Sequence, residues 1–96
     1  MRKFNDTELS LLRKVANRKG RRSESRKLLF DTIESGKATV AFQKNGYFTT
    51  AVIKTENNLY IGTAKRMPED KSNPVVGQNL ALSRALKSKP VGIQVS

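Results

Sequence analysis

Asn45-Gly46 stands between two runs rich in β-branched and aromatic residues, Ala38–Lys44 (ATVAFQK) and Tyr47–Lys54 (YFTTAVIK). Asn-Gly is the strongest two-residue hairpin signal, because both positions tolerate the positive φ that tight hairpin turns require. With that turn Lys44 pairs with Tyr47 and Phe42 with Thr49. One sheet face then collects Val40, Phe42, Tyr47, Ala51 and Ile53 as the core side. A third run, Asn58–Lys65 (NLYIGTAK), follows the short loop Thr55-Glu56-Asn57. If Ile53 pairs with Leu59, then Leu59 and Ile61 join the core, and Phe48, Val52 and Tyr60 face the other way. Strand side chains alternate, so a one-residue slip would exchange the two faces.

Helical patterns flank these strands. Asn5 with Glu8 three residues on reads as a helix cap, with acids suited to the positive end of the helix dipole. Leu9, Leu12, Val15 and Ala16 then share one face, and Arg13, Lys14, Asn17 and Arg18 the other. Gly20 interrupts or ends this helix. A second helix is expected from Ser23 to about Ser35, with Leu28, Leu29 and Ile33 inward and Gly36 as its stop; the two helices could also merge into one bent helix. Residues 66–73 form a polar loop. Asn73-Pro74 marks a third helix start, with Asn as cap and Pro at the first helical position. Val75, Val76, Leu80, Leu82 and Leu86 are its expected apolar face, ending near Ser88. The tail Pro90–Ser96 reads as a strand, an arm or disorder. The fold class is therefore α+β: N-terminal helix or helices, a three-stranded antiparallel sheet and a C-terminal helix in two layers, α-β-β-β-α. The chain is one domain, 1–96, comprising a basic helical segment (1–22), an α-β-β-β-α core (23–88) and a tail (89–96).

The 96 residues contain neither Cys nor His. That removes disulfides, zinc ribbons, thiol nucleophiles and imidazole acid–base chemistry. The eight acids form no recognisable cation-ligand spacing, and no phosphate-loop or dinucleotide fingerprint occurs. A Ser–Lys pair is the one nucleophilic option left open. The expectation is a non-enzyme without metal or cofactor. Gly36, Gly46 and Gly62 read as backbone punctuation. No apolar run is long enough to span a bilayer, the N-terminus lacks a signal-peptide core, and the first helix is poor in large apolar residues, so the reading is cytoplasmic without membrane contact.

Charge is the functional signal. The chain carries 19 Lys and Arg against 8 acids, a net charge of +11. Residues 1–30 hold ten cations and three acids, residues 31–60 three and three, and residues 61–96 six and two. Within Arg13–Arg22 (RKVANRKGRR) six of ten residues are cationic and none is acidic. Such loading in one segment fits a polyanionic partner, most often DNA or RNA. Arg13, Lys14, Arg18, Lys19, Arg21 and Arg22 are the leading candidates for phosphate contact. A solvated helix face is the plainer reading, but such faces usually interleave acids. Lys65, Arg66 and Lys71 flank the last helix's start and form a second candidate, opposed by Glu69 and Asp70. Phe48 and Tyr60, if they share an open sheet face, could stack on bases, although cross-strand packing is commoner.

The element order resembles that of the double-stranded RNA-binding domain, most closely from Tyr47 to Leu86, about half the chain. There YFTTAVIK, NLYIGTAK and ALSRALK are similar to that domain's second strand, third strand and last helix. Gly62-Thr63-Ala64-Lys65 resembles its Gly-rich strand end. Where the family carries a Lys-Lys-x-Ala-Lys run, this chain has Met67–Pro74, with only Lys71 to match, and the family's first-helix Glu and Gln contacts lack counterparts in Arg26–Ser35. The pattern Gly62-x-Ala64-x-x-x-Pro68-x-Asp70 followed by Gly77-x-x-x-Ala81-x-x-Arg84-Ala85 also resembles small bacterial and bacteriophage proteins of uncertain function. The resemblance implies a fold more than a ligand.

These observations lead to the expectation of a non-enzymatic nucleic-acid-binding protein of phage or bacterial origin. Its basic N-terminal helical face would hold the phosphate backbone while the sheet and last helix act as scaffold. The rival is a small phage-type inhibitor or regulator that docks on an acidic surface of a host polymerase, nuclease or defence protein. Ribosome association is a third reading. A homodimer through the tail or an edge strand would suit two-fold duplex binding.

Overall fold

The structure, a computed structural model, describes residues 1–18, 20, 23–65 and 74–92. Three helices, α1 (Asp6–Ala16), α2 (Ser23–Glu34) and α3 (Pro74–Lys87), accompany strands β1 (Thr39–Asn45), β2 (Phe48–Lys54), β3 (Asn58–Lys65) and β4 (Val91–Gly92). The sheet is antiparallel in the order β1-β2-β3-β4. The sequence expectation of three strands is thus corrected to four: the tail adds a two-residue strand, pairing Leu59 with Val91.

Helix ends follow local chemistry. The Asn5 side chain accepts from the Glu8 amide at 2.8 Å, while Glu8 Oε1 accepts from the Asn5 amide at 2.9 Å, closing a capping box. The Glu8 carboxylate also accepts from Nη1 and Nη2 of Arg2, at 2.7 and 2.8 Å. Arg2 in turn exchanges two backbone hydrogen bonds with Val40 on the outer edge of β1. One buried carboxylate therefore ties the N-terminus to a helix start and a strand edge. At the other end of the hairpin of helices, the Gly36 and Lys37 amides bond to the Ile33 and Thr32 carbonyls, and Gly36 takes φ 84°. This paired 5→2 and 6→1 closure needs a left-handed residue, which Gly supplies.

The β1–β2 connection closes one pair later than expected. Asn45 faces Phe48, Lys44 faces Thr49 and Phe42 faces Ala51, so the two turn residues are Gly46 and Tyr47, with Gly46 at φ 61°. A two-residue shift preserves which side chains face inward. Val40, Ala51 and Ile53 are fully buried and Phe42 packs beside them, whereas Tyr47 sits in the turn, 52 % exposed.

The β2–β3 register is offset by one, and the faces do exchange. Ile53 faces Tyr60 and Lys54 faces Leu59. The cause is at the turn: the Thr55 amide donates to the Asn58 carbonyl, and Thr55 Oγ1 accepts from the Asn58 amide at 3.2 Å, leaving only Glu56 and Asn57 between them. Tyr60, Gly62 and Ala64 therefore point inward, while Ile61 joins Phe48 and Val52 on the outer face. The expected core role of Leu59 and Ile61, and the shared outer face of Phe48 and Tyr60, are both overturned.

Helix α3 lies directly on β2 and β3, and α1 packs against α2 and α3. Its sheet-facing side is small. A Cβ on Gly62 would overlap the Ala81 carbonyl oxygen and the Ala85 amide nitrogen, so helix backbone sits almost on strand backbone. Gly77 faces the sheet less closely: a Cβ there would lie 3.3 Å from the Thr49 hydroxyl. The Gly62…Gly77…Ala81…Ala85 pattern is thus a packing device, and Gly62 is more than punctuation. Arg84 fastens the same contact by donating to the Thr63 carbonyl at 2.8 Å. Ala81, Leu82, Ala85 and Leu86 are buried, whereas Val75, Val76 and Leu80 are exposed, contrary to expectation. From α1, Leu12, Val15 and Ala16 enter the same core as Leu29, Phe30 and Ile33 of α2. The N-terminal helix is therefore built into the fold. Leu28, expected inside, is 68 % exposed. Each fully buried Leu or Ile contributes about 1.5–3 kcal/mol of transfer free energy.

Two outcomes are expected. Gly62→Ala should lower the unfolding free energy by about 3 kcal/mol, since backbone on both sides leaves little room to relax; an unchanged urea midpoint would refute the close approach. The second concerns Glu8. Burial raises its pKa, but the Arg2 hydrogen bonds, the Asn5 amide and the Arg2 charge outweigh this and hold it below the ordinary carboxylate range. A depressed folded pKa contributes stability above the unfolded value that is lost as pH falls through the folded one. Urea unfolding from neutral to acidic pH should show a steeper loss in the native protein than in Glu8→Gln, with the difference confined to the acidic limb.

Candidate nucleic-acid interface

Helices α1 and α2 form an antiparallel hairpin. Arg13 near the end of α1 meets Glu34 at the end of α2, and Arg18 beyond α1 meets Arg26 near the start of α2. The basic stretch Arg13–Arg22 therefore spans the last turn of α1 and the connection at one end of this hairpin. Lys19, Arg21 and Arg22 lie outside the described residues, as do Arg66, Lys71 and Asn73.

The described candidates divide. Arg13 donates from Nη2 to Glu34 Oε2 at 2.9 Å and lies 5.9 Å from the Phe30 ring centre. Sequence spacing showed no acid beside Arg13, but folding brings one from 21 residues away. Lys14 in the last turn of α1 and Arg18 two residues past its end are both exposed and have no acidic partner among the described residues. Lys65 is elsewhere. It ends β3 beside the β1–β2 turn, with its ammonium 5.8 Å from the Phe48 ring centre. Asn58 begins β3, seven residues or about 23 Å away, and lines the same cleft as Ser25 and Arg26 of α2. The first and second basic candidates are therefore not brought together.

Other cations take their place. The cleft between the first half of α2, the β2–β3 turn and the end of α3 is lined by Lys87 and Lys89 as well as by Arg26. These three escaped sequence reasoning. Lys87 and Lys89 are scattered cations that only the fold sets beside α2. Arg26, which the sequence did not single out, is 7 % exposed. Its Nη2 donates to the Arg18 carbonyl at 2.6 Å, satisfying an acceptor just past α1, and its Nε has no partner among the described residues. A spacing signal existed: Arg26 precedes Leu29, Phe30 and Ile33 by three, four and seven residues, the stripe of the buried face.

Of the aromatic candidates, Phe48 is 46 % exposed on the outer sheet face, and Tyr60 packs against the core at the cleft. Among the described residues no group of three acidic side chains could hold a metal ion, and no helix is long and apolar enough to cross a membrane. Comparison with protein-family profiles, curated proteins and solved structures found no match.

Proposed function

We propose that this chain is a non-enzymatic, cytoplasmic nucleic-acid-binding protein that holds the phosphate backbone with the α1–α2 end of its helical hairpin. The observation that carries this reading is the uncompensated charge there. In a chain of net charge +11, Lys14 and Arg18 stand exposed without acidic partners among the described residues, and Lys19, Arg21 and Arg22 follow in the sequence. Phosphate neutralisation is the commonest use of such a cluster, because each contact releases condensed counterions. The element order α2-β1-β2-β3-α3 is the one expected from the resemblance to the double-stranded RNA-binding domain. The absence of His and Cys supports a binding role over catalysis.

Fluorescence anisotropy of labelled duplex DNA, duplex RNA and single strands, across a salt series, tests this. Binding should weaken steeply with salt. Neutralising Lys14, Arg18, Lys19, Arg21 and Arg22 together to Gln should flatten the log–log salt slope by about 4–5 units, at roughly 0.9 per lost contact. Arg13→Gln alone should change the slope by much less than one unit, because Glu34 already engages that guanidinium. Absence of binding by the native protein at moderate salt would sink the reading and favour an acidic protein surface as the partner.

A further inference from the structure

The cleft beside the basic hairpin encloses about 550 Å³, within the roughly 300–1,000 Å³ typical of small-ligand sites. Leu29, Tyr60 and Leu86 supply an apolar floor with one aromatic ring. Leu28 forms a lip, 68 % exposed on a helix whose other outward positions include Glu24, Lys27, Asp31 and Glu34. The charge around this floor is cationic: Arg26, Lys87 and Lys89 against Glu56. Among the described residues the buried cation Arg26 has no acidic partner and its Nε no hydrogen-bond partner, a state that a nearby anion relieves. Helix α2 begins at Ser23, so the positive end of its dipole opens at the same rim. Asn57 and Asn58 bring donors and acceptors to the opposite wall.

A purely apolar ligand would leave these cations unused, and an inorganic anion would leave the floor and lip uncovered. A ligand with a flat apolar body, hydrogen-bonding edges and an anionic end uses all of them. Arg18, one of the cations assigned to phosphate contact, lies at the same end, where Arg26 donates to its carbonyl. We propose that this cleft takes one unpaired nucleotide of the bound nucleic acid, its base over Tyr60 beside Leu28 and its phosphate toward Arg26, Lys87 and Lys89. The inference rests on the nucleic-acid reading and deepens it. A paired base inside a duplex cannot reach the floor, so the ligand must offer a strand end, bulge or loop.

Amide chemical shifts on titration with AMP test the cleft directly. Resonances of Thr32, Asn58, Tyr60, Lys87 and Lys89 should move together, and adenosine or inorganic phosphate alone should bind about tenfold more weakly. In anisotropy, a duplex with a one-nucleotide overhang should bind about tenfold tighter than its blunt counterpart, the scale of one stacked base. Leu28→Ser, charge-neutral and at an exposed position, should abolish that preference and leave the salt slope unchanged; Tyr60→Leu should do the same while keeping an apolar side chain at the floor. If blunt and overhanging duplexes bind equally, or AMP leaves these amides unmoved, the inference is overturned while the phosphate-binding reading stands. If AMP moves them but no duplex binds, the cleft stands as a mononucleotide site and the reading in the preceding subsection falls.

Discussion

The approach of α3 to β3 at Gly62 sets the geometry of everything else. Helix backbone meets strand backbone there, because Gly62 has no side chain and Ala81 and Ala85 have almost none. A helix held so near the sheet leaves little room between the layers, which explains a core rich in alanine: Ala16, Ala38, Ala51, Ala64, Ala81 and Ala85 are all buried. The larger residues Leu12, Ile53, Leu82 and Leu86 fill the margins where α1 and α2 meet α3 and the sheet. The same closeness turns Val76 and Leu80 outward, because the side of α3 that touches the sheet has no space for them.

Local signals were legible in the sequence wherever a few neighbouring atoms decide the structure. The Asn5–Glu8 capping box, the Gly36 helix stop, the hairpin at Gly46 and the start of α3 at Pro74 are of this kind. Register was legible only up to the chemistry of the turns. The shift at Gly46-Tyr47 cost nothing in facing, since it was even. The odd shift at Thr55–Asn58 reversed Leu59, Tyr60 and Ile61, and it depends on a threonine side chain closing its own turn. In α3 hydrophobicity placed Leu82 and Leu86 inside correctly but misassigned Val75, Val76 and Leu80, because the stripe that touches the sheet is chosen by smallness.

The candidate site was legible as a charge excess and illegible as an arrangement. Six cations in ten residues locate a basic end of the molecule, yet a one-dimensional count cannot show that Glu34 returns to neutralise Arg13. Nor can it show that Lys65 lies at the opposite end of β3, or that Lys87 and Lys89 come round to the cleft. Arg2 illustrates the same limit: it belongs to the excess by count, but Glu8 holds it in a bidentate pair and it works as a structural strap.

Arg26 joins the framework to the basic end. A buried arginine with no acid beside it among the described residues is costly, and an apolar residue of similar volume would pack as well in most cores. Its position gives it something an apolar residue cannot do. From α2, whose Leu29, Phe30 and Ile33 are locked in the core, the guanidinium reaches back to the carbonyl at Arg18, the residue where the basic connection departs from α1. The α1–α2 end is thereby tied to the packed core. Its partly unsatisfied guanidinium adds positive charge without the mobility of a surface lysine, and a binding surface built on such a fixed cation loses less conformational entropy on contact than one built from long exposed side chains.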